Sequence, residues 1–404
     1  MKPIFSAGNS GPDVQSDCRV SIKLNDTGGI QIILNSKVQK YYENQLINLI
    51  KNCLNQAKIV HCECTLEDYG ALDYVILARI EAAVNKALGK EIILLPVCNN
   101  RSLTIKKDAE RRSRLYLPGD FPKFFINAGL YKSDGLIFDL EDSVAPEKKE
   151  EVRPLVRNAM LAGDYFSSEI MVRINQLPMG LKDLEYVVPY GVDTILIPKC
   201  ESADQVLAVA NKIEDLKKQH HLDKEIYIMP IIENAMGVIK SFEIATASDK
   251  NIALTIGLED YTADLGVERT DNGKESEFAR NMIINAARAA GIQAIDSVFS
   301  NVEDMNKLFE TARNSKAMGF DGMGCIHPRQ ISVIHQAFAP TEKEIEKAKK
   351  IAKAFAQAKK EGKAVVSLNS KMIDPPVVKR AERVIKMAIQ NKLLTENWEE
   401  LEND

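Results

Sequence analysis

Histidine is scarce in this sequence, with five in 404 residues. The seven cysteines do not replace it as soft-metal ligands: only His61-Cys62-Glu63-Cys64 brings such residues together, inside a strand-like stretch and without the second ligand pair of a zinc site. An odd number of irregularly spaced cysteines in a long chain reads as reduced thiols, not as a disulfide framework. No sign of charge prevails. Lys plus Arg is 53 and Asp plus Glu is 57, for a net charge of −4, which lacks the basic footprint of a nucleic-acid binder. Apolar runs such as residues 92–97 fall far short of the ~20 residues of a membrane span. The opening MKPIFSAGNSGPDVQSD has no apolar stretch of a secretory signal, so a cytoplasmic location is expected. Neither a Walker loop nor a Gly-x-Ser-x-Gly elbow is found, which disfavours P-loop and serine-hydrolase chemistry.

What is present is globular: 45% hydrophobic and 27% charged residues, in a length that implies two or three domains. Near the N-terminus, residues 19–24 and 29–34 are strand-like, and Asn25-Asp26-Thr27-Gly28-Gly29 between them is a hairpin signal. A helical stripe over 43–56, a strand over 57–66 and a helix over 71–88 stopped by Gly89 complete a ββαβα module. Residues 91–111 read as a linker. Eight strand-like runs follow, at 114–117, 135–140, 169–174, 193–197, 225–231, 252–256, 291–295 and 322–326. Helix-length segments separate most of them, one capped by Ser202. Eight parallel β–α units in roughly 225 residues predict a (β/α)8 TIM barrel. The rival, an open doubly wound sheet, lacks its G-x-G-x-x-G after the first strand. The tail reads as helical from a capping pattern at Thr341, is broken where Pro375 and Pro376 stop a helix, and resumes over about 377–390. The expected partition is 1–90, an α+β domain; 91–111, a linker; 112–340, the barrel; and 341–404, a helical extension.

Catalytic groups of such barrels sit where strands end. Here the strand ends carry Asp139-Leu140-Glu141-Asp142, Arg173-Ile174-Asn175, Pro198-Lys199, Glu233-Asn234, Gly257-Leu258-Glu259-Asp260, Asp296 and His327-Pro328. One acid after a strand reads as a helix cap, but polar residues at this many ends of one face read as a site. Oxygen ligands suit Mg2+, which takes one or two carboxylates and keeps positions for substrate. Glu233 and Asp260 end neighbouring strands and could share such an ion, for Lewis-acid polarisation of a 2-oxo or 2-hydroxy acid. Arg173, fork-shaped and always charged, could hold a carboxylate or thioester oxygen.

Several ordered blocks resemble the citrate lyase β-subunit, or HpcH/HpaI aldolase, family. They are Arg112-Ser113-x-Leu115-x-x-Pro118-Gly119, Phe138-Asp139-Leu140-Glu141-Asp142-Ser143, Val172-Arg173-Ile174-Asn175, Pro198-Lys199-x-Glu201-Ser202-Ala203, Ile232-Glu233-x-x-x-Gly237, Gly257-x-Glu259-Asp260-Tyr261, Cys325-Ile326-His327-Pro328 and Met372-Ile373-Asp374-x-Pro376. The resemblance implies a Mg2+-dependent lyase acting on citryl, malyl, citramalyl or related coenzyme A thioesters. It puts the metal ligands on Glu233 and Asp260, the active-site arginine on Arg173, and substrate binding on Arg173, Lys199, Gly257, Leu258 and Glu259. It puts an acid/base aspartate, delivered by a neighbouring subunit, on Asp374, and so implies a homo-oligomer, a trimer or hexamer. From the residues alone, Asp374 reads as the cap of a turn before the prolines.

The stretch Asp68-Tyr69-Gly70-Ala71-Leu72-Asp73-x-Val75-x-x-Ala78-Arg79-x-Glu81 resembles the citrate lyase γ subunit, an acyl carrier protein. This implies a phosphoribosyl-dephospho-coenzyme A arm, for which Ser16 is the candidate attachment residue, and an α-type transferase subunit as partner. The alternative is a docking or oligomerisation domain without the arm. Three functions stay open: a lyase cleaving a carrier-bound citryl thioester to oxaloacetate and an acetyl thioester, a malyl- or citramalyl-CoA lyase with a structural N-terminal module, and a non-catalytic scaffold subunit.

Overall fold

Period-2 burial builds the first layer of the molecule. In the computed structural model, which describes residues 2–98, 103–360, 366–368 and 371–398, the N-terminal strands are β1 (Phe5–Gly8), β2 (Cys18–Leu24), β3 (Ile30–Ser36) and β4 (Cys62–Asp68). Helices α1 (Gln39–Gln56) and α2 (Asp73–Leu88) accompany them. Cys18, Val20 and Ile22 of β2 alternate inward with Cys62, Cys64 and Leu66 of β4, and with Ile50, Leu54, Ile76 and Ile80 they form one apolar core.

The expected hairpin does not form. The sheet order is β1-β2-β4-β3, so β4 lies between the two strands, antiparallel to β2 and parallel to β3. The loop over 25–29 is a local turn signal, whereas the pairing follows the β3–α1–β4 crossover, which buries the apolar face of α1. The short β1 escaped the sequence reading. It ends at Gly8, at φ +93°, where a Cβ would lie 2.0 Å from the Cys18 carbonyl oxygen.

All eight expected barrel strands are present: β5 (Ser113–Pro118), β6 (Gly135–Asp139), β7 (Glu169–Arg173), β8 (Thr194–Ile197), β9 (Tyr227–Ile232), β10 (Ala253–Ile256), β11 (Gln293–Asp296) and β12 (Gly322–Cys325). They are parallel throughout and close when β12 pairs with β5. The ring around them comprises α3 (Lys149–Ala162), α4 (Gly180–Val187), α5 (Ala203–His220), α6 (Ala235–Ile239), α7 (Ser241–Thr246), α8 (Leu258–Leu265), α9 (Lys274–Ala290) and α10 (Met305–Met318), and α11 (Arg329–Phe338) follows β12 in the chain. Ser202 caps α5 in a reciprocal box with Gln205. Among the described residues no helix is long and apolar enough to cross a membrane.

Met1–Ile334, which holds both the small sheet and the barrel, packs as one unit. Helix α2 lies against α3 through a buried, charged seam. Arg79 binds Asp17 of its own module and Asp120 of the barrel, each at 2.8 Å, and Arg157 of the barrel grips Glu81 at 2.8 and 2.9 Å. Arg79 and Arg157 are 0% exposed. Residues 91–95, which follow α2 without regular structure, are tied down as well: Asn85 and Glu81 accept from the Ile92 and Leu94 amides, and the Leu95 carbonyl accepts from Tyr190.

His335–Asp404 forms the second unit. It contains α12 (Glu342–Lys360), the short paired strands β13 (Val366–Leu368) and β14 (Lys371–Ile373), and α13 (Pro375–Gln390), around Ala348, Ile351, Ile373, Val378, Ala381, Ile385 and Trp398. Thr341 and Glu344 exchange hydrogen bonds at the start of α12. Pro375 and Pro376, expected to stop a helix, begin one. They occupy the first turn of α13, where their missing N–H groups cost nothing, and Asp374 caps it by accepting from the Val377 amide. The rest of the expected extension, at 361–365, 369–370 and 399–404, and residues 99–102 of the expected linker lie outside the described residues.

Candidate active site at the mouth of the barrel

The carboxyl ends of the strands surround a cavity of about 430 Å3. Its walls include Arg173 from the end of β7, Glu233 just after β9, Gly257 after β10, and Leu258, Glu259 and Asp260 from the first turn of α8. Arg114, Tyr116 and Pro118, alternate residues of β5, complete it from below.

Arg173 is held in place by acids. Its Nε and Nη2 bind the two oxygens of Asp139 at 2.7 and 2.8 Å, and Nη1 reaches Glu141 at 3.0 Å and Asp142 at 3.3 Å. The guanidinium also stacks on Tyr116, 5.2 Å from the ring centre. Burial by itself would raise the pKa of Asp139, but the guanidinium holds it below the ordinary carboxylate range. For Glu141 burial wins, and Asp142 beside it adds to the rise.

Glu233 is enclosed more tightly than Asp260 across the cavity. It is 5% exposed, and burial pushes its pKa up to about 7. The Lys199 amide and Arg173 oppose that rise, while Asp260 and Glu141 add to it. The Lys199 amide donates to Oε2 at 2.8 Å, from a residue held in the left-handed region at φ +46°. The other oxygen lies over Gly257, where a Cβ would fall 2.5 Å from Oε1. Only glycine leaves that space. The Lys199 ammonium lies 3.2 Å from Glu141, 3.4 Å from Asp142 and 3.5 Å from Asp260. Burial works against its charge, but the three acids together raise its pKa.

This donor set fits a hard divalent cation in part of its shell. Glu233 and Asp260 supply oxygen only, and a cation beside Glu233 would relieve its disfavoured ionisation. Among the described residues no group of three or more His, Cys, Asp or Glu side chains could hold a metal ion by itself. Water and substrate would therefore complete the shell, as Mg2+ prefers.

The structure thus brings Arg173, Lys199, Glu233, Gly257, Leu258, Glu259 and Asp260 together at one mouth. Two of the backbone amides at the expected substrate-binding positions are already engaged: that of Gly257 with the Ile232 carbonyl, and that of Leu258 with Ser297 Oγ. The Glu259 and Asp260 amides, in the first turn of α8, keep no partner among the described residues. Asp374 belongs to the second unit, as the cap of α13. Ser16 is partly exposed at φ +56°, and its amide donates to the Tyr69 carbonyl. The sequence reading placed Asp139, Glu141 and Asp142 at the strand ends but not as the collar of Arg173, and it missed Ser297. It also missed Arg114, for which the alternation Arg114, Tyr116, Pro118 within β5 was the available signal.

The profile of the family described as HpcH/HpaI aldolase/citrate lyase matches residues 112–328. The chain belongs to this family. Citrate lyase subunit beta of Leuconostoc mesenteroides subsp. cremoris is 41% identical over 287 residues, which cover 70% of this chain and 95% of the relative. Citramalyl-CoA lyase, mitochondrial, of Mus musculus is 30% identical over 326 residues, 78% of this chain and 96% of the relative. Among solved structures, protein CitE from Mycobacterium tuberculosis in complex with magnesium, acetoacetate and coenzyme A is similar, with a TM-score of 0.59 and 30% identity, covering 70% of this chain and 99% of that one. A second profile, described as malonate decarboxylase delta subunit, matches residues 9–87. Like these members of the aldolase/citrate lyase family, the chain is a lyase, with an acyl-carrier-like domain before the barrel.

Proposed function

We propose that the chain is a Mg2+-dependent carbon–carbon lyase that cleaves citryl thioester to oxaloacetate and an acetyl thioester. The convergence of Arg173, Glu233 and Asp260 on one cavity carries the reading. Glu233 and Asp260 would hold the ion, which supplies Lewis-acid polarisation of the 2-hydroxy-carboxylate. The free Glu259 and Asp260 amides, at a helix N-terminus, suit the carboxylate on the carbinol carbon. The hydroxyl proton passes to water, from which Asp374 regains the proton it later gives up, while the bond from the carbinol carbon to the thioester α-carbon breaks and its electron pair passes to the thioester as an enolate. Arg173 stabilises the enolate oxygen. Asp142, half exposed and its loosest partner, is the acid that this oxygen can replace. Asp374, delivered from the second unit of a neighbouring copy, gives the α-carbon its proton. Ser16 would carry the prosthetic arm, and a transferase subunit would load it.

A second reading, a lyase of free coenzyme A esters with a structural N-terminal module, is favoured by one observation: the module is fixed to the barrel through buried ion pairs beside Ser16. One experiment tests both. Full-length chain, its covalent state known from intact mass, is assayed with Mg2+ on citryl, citramalyl and malyl thioesters. Turnover of citryl thioester only by protein bearing an adduct supports the carrier reading. Turnover of free esters by unmodified protein supports the second. No turnover of any ester removes the lyase proposal.

A further inference from the structure

Among the described residues, every buried arginine of this unit but one meets a carboxylate. Arg79, Arg111, Arg153, Arg157 and Arg173 each lie between 2.7 and 2.8 Å from a carboxylate oxygen. Arg114, equally buried at 0% exposure, meets no carboxylate among the described residues. Its Nη1 donates to Thr255 Oγ1 at 3.0 Å and lies 2.9 Å from Met229 Sδ, while Nε and Nη2 have no hydrogen-bond partner among the described residues. A buried guanidinium with idle donors is strongly unfavourable unless something else meets it. Burial lowers its pKa only to about 10, so it stays charged at neutral pH.

Its surroundings are hollow on its behalf. Arg114 lies on β5 in register with Gly135 of β6 on one side and Gly324 of β12 on the other. A Cβ on Gly135 would sit 3.4 Å from Arg114 Cγ and 2.6 Å from Met171 Cε. Both Arg114 and its partner Thr255 line the cavity that holds Glu233 and Asp260. Ordinary barrel layers fill this depth with branched apolar side chains.

We propose that Arg114 is a specificity residue that binds a second free carboxylate of the substrate, carried on the branch that becomes the side chain of the 2-oxo acid. This rests on the lyase reading and deepens it. The carboxylate on the carbinol carbon and the thioester oxygen have their own partners higher in the cavity. The idle donors at its floor match a further anion, so the substrates selected are those that release a dicarboxylic 2-oxo acid. A substrate with hydrogen or methyl on that branch leaves Arg114 unpaired, and a site built for a polar group rejects such analogues.

The test compares citryl and citramalyl thioesters, with Mg2+, on the full chain and on Arg114→Met and Arg114→Lys. Arg114→Met is expected to lower the ratio of kcat/KM for citryl over citramalyl thioester by about 100-fold or more, with Arg114→Lys in between. Binding of oxaloacetate against pyruvate, measured by calorimetry, should lose its preference in parallel. Equal effects on both thioesters and both oxo acids overturn the proposal, and a ratio unmoved with a lowered Tm assigns Arg114 to structure alone. If Arg114→Met does not fold, Arg114→Lys and Arg114→Gln carry the same comparison. Wild-type chain that turns over both thioesters with a ratio indifferent to Arg114 keeps the lyase and removes this inference. Chain that turns over neither, yet prefers oxaloacetate in an Arg114-dependent way, does the reverse.

Discussion

Replacing Glu233 by glutamine should make the metal-free protein more stable while removing its activity. Burial raises the Glu233 pKa from the ordinary 4.5 to about 7. The folded state therefore binds this proton more tightly than the unfolded chain. The associated stability is fully present below about pH 4.5 and is lost as the pH rises through 7. At roughly 1.4 kcal/mol per pH unit of separation, the metal-free protein gives up about 3 kcal/mol by pH 8. Glutamine keeps an acceptor for the Lys199 amide and never ionises. With EDTA present, Glu233→Gln should exceed wild type in Tm by on the order of 5 °C at pH 8 and by little at pH 5. The other shifted acids are common to both proteins and drop out of the difference. Excess Mg2+ at pH 8 should then raise the wild-type transition and leave the variant's in place. A Tm difference that stays flat or narrows between pH 5 and pH 8 would refute the reasoning, because burial would not be what holds Glu233 protonated.

Three further outcomes are expected. Gly257→Ala places a Cβ 2.5 Å from Glu233 Oε1, so it should cut Mg2+-dependent turnover at least tenfold with the fold intact, read by titrating Mg2+ against activity and circular dichroism. Arg79→Ala removes the cation that Asp17 and Asp120 share, leaving Asp120 only Lys148, and should cost about 3–5 kcal/mol in urea unfolding, far more than a surface arginine. If Asp374 works across subunits, inactive Glu233→Ala and Asp374→Ala chains, co-expressed, should recover about a quarter of wild-type activity through sites that draw one intact residue from each. Silence of the mixture argues that both residues serve one chain's own site.

How much of this was legible in the sequence depended on the range of each signal. The barrel strands were, because each is a short apolar run between helix-length segments, and parallel strands need no partner information to be recognised. The pairing of β2 with β4 was not, because Asn25–Gly29 states a turn locally while register is set by residues some forty positions away. Glu233 and Asp260 stood out as acids at strand ends. Their contrast did not: both are carboxylates in sequence, but the backbone at Gly257 and the Lys199 amide enclose only the first. Pro375 read as a helix stop because proline marks either end of a helix, and only the Asp374 cap decides which. Arg114 was hidden because an inward-facing arginine breaks the apolar pattern by which inward positions are recognised.

The seam between the carrier-like module and the barrel acts as a ratchet on the history of this chain. Two proteins that meet through water can be joined or separated by moving a start codon. Arg157 depends on Glu81 for its counter-charge, and Asp120 shares Arg79 with Asp17 beside its own Lys148, so separation leaves Arg157 unpaired and Asp120 short of one cation, and no single substitution repairs both. The same dependence fixes one module to every barrel, whatever the expression level. Any attempt to prepare the barrel alone should therefore begin by rewriting Asp120, Glu151 and Arg157 together, since the domain border in the sequence is not a border in the electrostatics.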